Sequence, residues 1–258
     1  MNGPAANGPR ASPSPAGRTA PTRADPELAP TFTVPPALVD GLGPPVRPAG
    51  VVLGADPDGR PVAVSLVRPA PTRVVLLGGL YLARQVTLRA VGTGTRAVVI
   101  TGRPPVWEAV RRAGEPEGAA ARAADDPDAT VRVVDEPPAD LAVPDGRPLL
   151  VVYDRGATTR GPAPARRARQ TTLVVLPSLV PAVSDLADDA DLVLIQRLPT
   201  HEAELAGRLW RLGPAMTEAL RTLPDHGAVL LGRNLWRRVD LVTGHRETAV
   251  LGPVRRGD

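Results

Sequence analysis

The 258-residue chain contains no cysteine. This excludes disulfides, thiolate metal sites and cysteine nucleophiles, and it leaves the redox compartment open, because a cysteine-free chain folds in either environment. Lysine is missing as well, so all 31 side chains in the lysine-plus-arginine count are arginine. Chemistry that needs a compact ammonium is therefore excluded. Aromatic residues are scarce, with three Trp, two Tyr and one Phe. That is too few for a platform that stacks single-stranded bases. Long apolar runs are absent too. The longest, Val74 to Ala83, is held between Arg73 and Arg84 and falls well short of the roughly 20 residues that a membrane-spanning helix needs. No apolar stretch follows a basic start at the N-terminus, so no signal peptide is visible. The expected location is the cytoplasm, with docking on a membrane complex left open.

Proline and glycine are abundant, at 32 and 25 residues, and the formal net charge is +4. A high-GC coding bias accounts for arginine in place of lysine and for the wealth of Ala, Gly, Pro and Val. So modest a positive balance gives little support for nucleic-acid binding on its own. Residues 1–49 read as a disordered Pro/Ala-rich tail. They hold too few large apolar groups to offset the entropy of ordering, and their prolines favour extended conformations. A short apolar patch from Phe32 to Leu42 is the exception, placed to dock on the domain or on a partner. Residues 50–258 form the folded part, enough chain for a single core.

From Val51 onward, short apolar runs alternate with helical patterns. Val51–Leu53 and Pro61–Val67 flank the turn signal Ala55-Asp56-Pro57-Asp58-Gly59, which predicts a β-hairpin. Arg73–Leu77 and Arg96–Thr101 read as core strands. Between them Leu80–Val91 carries apolar residues at helical spacing. A second helix is expected near Pro105, carrying Trp107 and Val110, and Glu115–Asp128 reads as a surface helix or loose loop. Val131–Val134, Leu149–Tyr153, Leu173–Leu176 and Asp191–Gln196 are further strands. Thr200 is expected to cap a helix that runs to about Arg211, and Pro214 starts another in its first turn. Ala228–Leu231 and Trp236–Val242 close as a hairpin around Arg233-Asn234. The predicted class is α/β: a largely parallel sheet with helices on both faces and antiparallel edge hairpins.

The first strand-to-helix junction, VVLLGGLYLARQVTL, is where nucleotide chemistry would sit. A phosphate-binding loop reads G-x-x-x-x-G-K-[ST]: its amides wrap the phosphates, lysine reaches the β and γ oxygens, and a hydroxyl holds magnesium. Laid on Gly78, the pattern places Ala83, Arg84 and Gln85 at the Gly, Lys and Ser/Thr positions. None of the three matches. Leu80, Tyr81 and Leu82 put hydrocarbon where the cradle would be. Gly78 and Gly79 then form a tight turn into a core helix, or retain a phosphate at the helix N-terminus with help from Arg84. The strand Leu149–Asp154 (LLVVYD) ends in an aspartate placed to hold magnesium, to end the strand in a turn, or to pair with an arginine. Arg155 follows it where a hydrolytic motor carries glutamate.

Other constellations carry less. His201, His226 and His245 have no ligand partner at zinc spacing. Ser65, Ser178 and Ser184 lie in no nucleophile elbow. Asp185, Asp188, Asp189 and Asp191 read as a solvated face, and Trp107, Trp210 and Trp236 as core or interface anchors. The segment from Arg155 to Arg169 reads as an exposed basic loop. With Arg155, Arg166, Arg167 and Arg169 it is the candidate surface for a nucleic acid.

Four segments, GADPDGRPVAVSL, RVVLLGG, LLVVYD and the run from Asp191 to Val242, resemble in that order the RecA-like core of FtsK/SpoIIIE-type motors. That superfamily takes in DNA translocases, conjugation ATPases and the ATPases of actinobacterial type VII secretion. The resemblance spans roughly residues 50 to 251. Since the glycine, lysine and hydroxyl of the loop and the glutamate after LLVVYD are missing, it implies a degenerate motor. Such a pseudo-ATPase needs no cofactor, keeps Gly78, Gly79, Arg84 and Asp154 as a vestigial nucleotide site, and acts as scaffold or regulator beside an active ATPase or secretion complex. The arginine- and alanine-rich composition suits an actinobacterial locus.

Overall fold

The computed structural model describes residues 50–66, 68–115, 126, 128–138, 141, 147–154, 156 and 165–253. The expected tail, the Phe32–Leu42 patch, most of the Glu115–Asp128 segment, and Arg155 lie outside the described residues.

A ten-stranded sheet organises the described residues, in the order β2-β1-β10-β9-β8-β3-β7-β6-β4-β5. Its parallel half consists of β3 (Thr72–Leu77), β4 (Arg96–Thr101), β5 (Val131–Val134), β6 (Leu149–Asp154), β7 (Gln170–Leu176) and β8 (Leu192–Ile195). These strands are near-continuous Val/Leu/Ile runs because both of their faces are covered. Alternate side chains of β3 show it: Val74 and Leu76 enter one apolar layer, Val75 and Leu77 the other. On the first face lie α1 (Leu80–Gly92), α2 (Glu108–Gly114) and α6 (His245–Leu251); on the second lie α3 (Ser184–Asp188), α4 (Thr200–Leu209) and α5 (Pro214–Thr222).

The two predicted hairpins, β1 (Val51–Ala55) with β2 (Pro61–Val64) and β9 (Gly227–Gly232) with β10 (Leu235–Leu241), both form. They join into one antiparallel edge because β1 pairs with β10. Gly54 permits the approach: a Cβ there would lie 2.0 Å from the Asp240 carbonyl oxygen, so only glycine lets the strands close. In the β1–β2 turn, Asp56 Oδ1 accepts the N–H groups of Asp58 and Arg60 at 3.1 and 2.8 Å. Its Oδ2 accepts from Arg237 of β10 at 2.8 Å.

Local departures from expectation have local causes. The helix near Pro105 opens as a 3₁₀ turn, Pro104–Trp107, with prolines at its first two positions, where a missing N–H costs no intrahelical hydrogen bond. Thr200 is the first helical residue of α4, not its cap. Pro199 holds the cap position in extended geometry, and its carbonyl accepts the Ala203 N–H at 2.9 Å. The acidic cluster is exposed, as expected, and two of its carboxylates also hold arginines. Asp189 pairs with Arg73, while Arg166 donates to Asp191 Oδ2 at 2.8 Å and to Asp189 Oδ1 at 3.2 Å. Asp191 Oδ2 also accepts the backbone N–H of Arg73 at 2.7 Å, which pins the start of β3 to the loop before β8.

Candidate functional site

The junction and the aspartate named from sequence both lie at the carboxyl edge of the parallel strands, where open α/β sheets bind ligands. β3 pairs with β7 and β8 in register, Leu77 opposite both Leu176 and Ile195. Gly78 N–H donates to the Leu176 carbonyl at 3.2 Å, and Gln196 N–H donates to the Leu77 carbonyl at 2.9 Å. Only Gly78 and Gly79 separate β3 from α1, whose first residue is Leu80. A phosphate-binding loop needs several residues of non-helical backbone to bring amides around an anion. The chain supplies two.

This helix start settles where the pattern positions fall. Ala83, Arg84 and Gln85 lie in the second turn of α1, and Ala83 and Gln85 are buried. Gln85 Nε2 donates to the Val242 carbonyl, Thr243 Oγ1 and Glu247 Oε2 at 3.1–3.2 Å, tying α1 to the last turn and to α6. Arg84 Nη1 donates to the Val106 carbonyl at 3.2 Å. Its Nε is buried with no hydrogen-bond partner. Leu80, Tyr81 and Leu82 pack into the core as the pattern predicts.

A residue not singled out from sequence completes the junction. Gln196 follows the last residue of β8, and its Oε1 accepts the Gly79 N–H at 2.8 Å. Gln196 is 9% exposed. A Cβ added to Gly78 would lie 2.4 Å from this Oε1 and 2.9 Å from Cγ. The glycine is thus required by a neighbouring side chain. Two glycines after an apolar strand read alike whether they face a phosphate or a glutamine 117 residues away. The available sign was an amide ending a fully apolar strand, DLVLIQ.

Asp154 is separated from β3 by β7, roughly 9–10 Å of sheet. It is 2% exposed, and both oxygens are engaged. Oδ2 accepts from Trp107 Nε1 at 2.8 Å, Thr101 Oγ1 at 2.9 Å and Arg103 Nε at 3.2 Å; Oδ1 accepts from Arg103 Nη2 at 2.8 Å. Thr101 Oγ1 in turn accepts the Arg103 backbone N–H at 3.1 Å. Burial alone would raise the carboxyl pKa. The hydrogen bonds from Arg103, Trp107 and Thr101 outweigh it and hold the group below its ordinary value. Of the readings left open for Asp154, its geometry is that of an arginine partner. The arginine comes from the loop after β4 and not from the neighbouring position 155. Trp107, fully buried, is the core anchor expected of it, with its indole N–H aimed at this carboxylate.

The remaining candidates stay apart. His201, His226 and His245 are exposed, and among the described residues no group of three His, Cys, Asp or Glu side chains could hold a metal. Of the arginines named for nucleic acid, Arg166 is committed to Asp189 and Asp191, and Arg167 and Arg169 are exposed. Among the described residues no helix is long and apolar enough to cross a membrane.

No protein-family model matches the chain, and no curated relative matches it. Solved structures do. VirB4 of Thermoanaerobacter pseudethanolicus superposes with a TM-score of 0.54 at 11% identity, over 78% of this chain and 98% of that one. The genome packaging NTPase B204 of Sulfolobus turreted icosahedral virus 2, in complex with AMPPCP, gives 0.47 at 13% identity over 68% and 100%. The cytoplasmic domain of the Thermomonospora curvata type VII secretion ATPase EccC gives 0.45 at 14%, over 81% of this chain and 30% of that one. The VirB4 superposition shows that this chain shares that protein's fold, an α/β sheet with a parallel half and an antiparallel edge.

Proposed function

We propose that this chain is a motor-like domain without nucleotide turnover, serving as scaffold or regulator within a translocation or secretion complex. Its partner is another protein of that complex, an active ATPase first among them. The observation that carries this reading is the two-residue junction between β3 and α1, closed by Gln196. Hydrolysis of a nucleoside triphosphate requires cations and amides placed around the transferring phosphoryl group. Here the junction lacks the backbone for that cradle. Asp154, which would hold magnesium, is bound on both oxygens by the chain's own donors. Gly78, Gly79, Arg84 and Asp154 are on this reading relics of a nucleotide site. The tail, residues 1–49, lies outside the domain, and the protein works in the cytoplasm, peripheral to a membrane complex.

The test is a titration with ATP, with and without magnesium, followed by an assay for phosphate release and by co-purification from the native host. The expected result is no turnover and recovery with an ATPase. Turnover that falls when Arg84 or Asp154 is changed overturns the reading, and so does a chain that remains monomeric and partnerless in the host.

A further inference from the structure

The glutamine at the end of β8 does more than fill space. Gln196 Oε1 sits 2.8 Å from the Gly79 nitrogen, so an amide oxygen of the chain takes the donor that leads into α1. The same oxygen is the atom that a Cβ on Gly78 would strike, at 2.4 Å, with Cγ and Cδ of Gln196 next at 2.9 and 3.0 Å. The three heavy atoms nearest to that imagined Cβ all belong to one side chain. Gly78 is not in the left-handed region, where only glycine is at ease. Its backbone tolerates alanine, and the nearest obstacle to one is Gln196. Gln196 is fixed in turn, because its N–H holds the Leu77 carbonyl at 2.9 Å.

We infer that Gly78 and Gln196 are a matched pair, in which the glutamine side chain stands permanently where a ligand oxygen would otherwise meet the strand–helix junction. Gln196 is then a positioning residue: it sets the entry of α1 with no ligand, so the conformation at this edge does not respond to nucleotide. The inference deepens the reading above and rests on it for the statement that the junction descends from a nucleotide site. Failed co-purification would leave the pair intact, and failure of the pair would leave a protein partner in place.

The experiment is a double-mutant cycle on the whole chain, with thermal unfolding as the readout. Gly78→Ala expels the carboxamide and orphans the Gly79 N–H, so Tm falls by about 3–9 °C. Gln196→Ala orphans the same N–H and lowers Tm similarly. The double variant falls scarcely further than Gln196→Ala alone, because the added methyl enters space already vacated. Gln196→Glu keeps an acceptor oxygen at the helix N-terminus and recovers most of the loss. Should either single variant fail to fold, hydrogen exchange on the parent decides: the Gly79 amide is protected, and ATP with magnesium at millimolar concentration changes neither that protection nor Tm. Strictly additive losses overturn the inference, as does an equal loss for Gln196→Glu. A nucleotide-dependent rise in Tm in the parent overturns it too, by showing that the carboxamide yields to a ligand.

Discussion

Replacing Asp154 separates a structural clamp from a magnesium ligand. Asp154→Ala leaves the Trp107 indole N–H, in a fully buried ring, without its acceptor at 2.8 Å. A buried unsatisfied donor costs about 1–3 kcal/mol. Thr101 can turn its hydroxyl, but the two Arg103 bonds are lost. Since the Arg103 side chain is 43% exposed, water recovers part of that loss. The expected destabilisation is about 2–4 kcal/mol, read as a lower urea midpoint with unchanged slope and a Tm drop of roughly 4–16 °C. Asp154→Asn can keep its oxygen toward Trp107 and Thr101 while its amide faces the Arg103 donor, so about half that cost is expected. Acid adds an independent arm. The folded carboxyl has a pKa below its ordinary value, so its contribution is complete above the unfolded pKa and is lost as pH falls through the folded one. The Asn variant therefore loses less stability than the parent between neutral pH and strongly acidic pH. An Asp154→Ala protein that unfolds at the parent's midpoint, and differs only in its response to magnesium and ATP, would refute the clamp.

Two further outcomes follow from the same geometry. Restoring the loop's consensus residues through Ala83→Gly, Arg84→Lys and Gln85→Thr together gives no nucleotide binding by calorimetry, because these positions lie in the second turn of α1. Stability falls by about 2–4 kcal/mol with the loss of the Gln85 bonds and the glycine in the helix. Glu247→Gln unlatches α6. Glu247 Oε2 accepts from Arg89 at 2.6 Å, the Gly244 amide at 2.9 Å and Gln85 at 3.2 Å. Faster hydrogen exchange across residues 245–251 and a loss of about 1–3 kcal/mol are expected. Burial would raise the Glu247 pKa, but Arg89 and the Gly244 amide hold it low, so the latch persists above the ordinary glutamate value and is lost on acidification below it.

How much was legible depended on the range of the cause. The alternation of Val/Leu runs with helical spacing predicted the strands and helices, because burial on both faces of a parallel strand needs a continuous apolar run. The hairpin around Arg233-Asn234 and the Asp56 turn were readable because turn chemistry is local. The partners of Asp154 were not. Arg103, Thr101 and Trp107 lie some fifty positions away, and β4 comes beside β6 only through the sheet order. Gln196 was missed for the same reason, and so were the acidic partners of Arg166, an exposed residue as expected, because they belong to another loop.

Composition and local pattern by themselves determined the α/β class, the absence of thiol and ammonium chemistry, and the mismatch of Ala83, Arg84 and Gln85 with a phosphate loop. Tertiary structure decided that the loop is also too short, that a glutamine from a neighbouring strand occupies its mouth, and that the aspartate two strands away is held by an arginine. Adjacent strands in a parallel sheet are joined through long crossovers, so side chains that meet at the sheet's carboxyl edge are far apart in sequence, and no local pattern encodes their meeting.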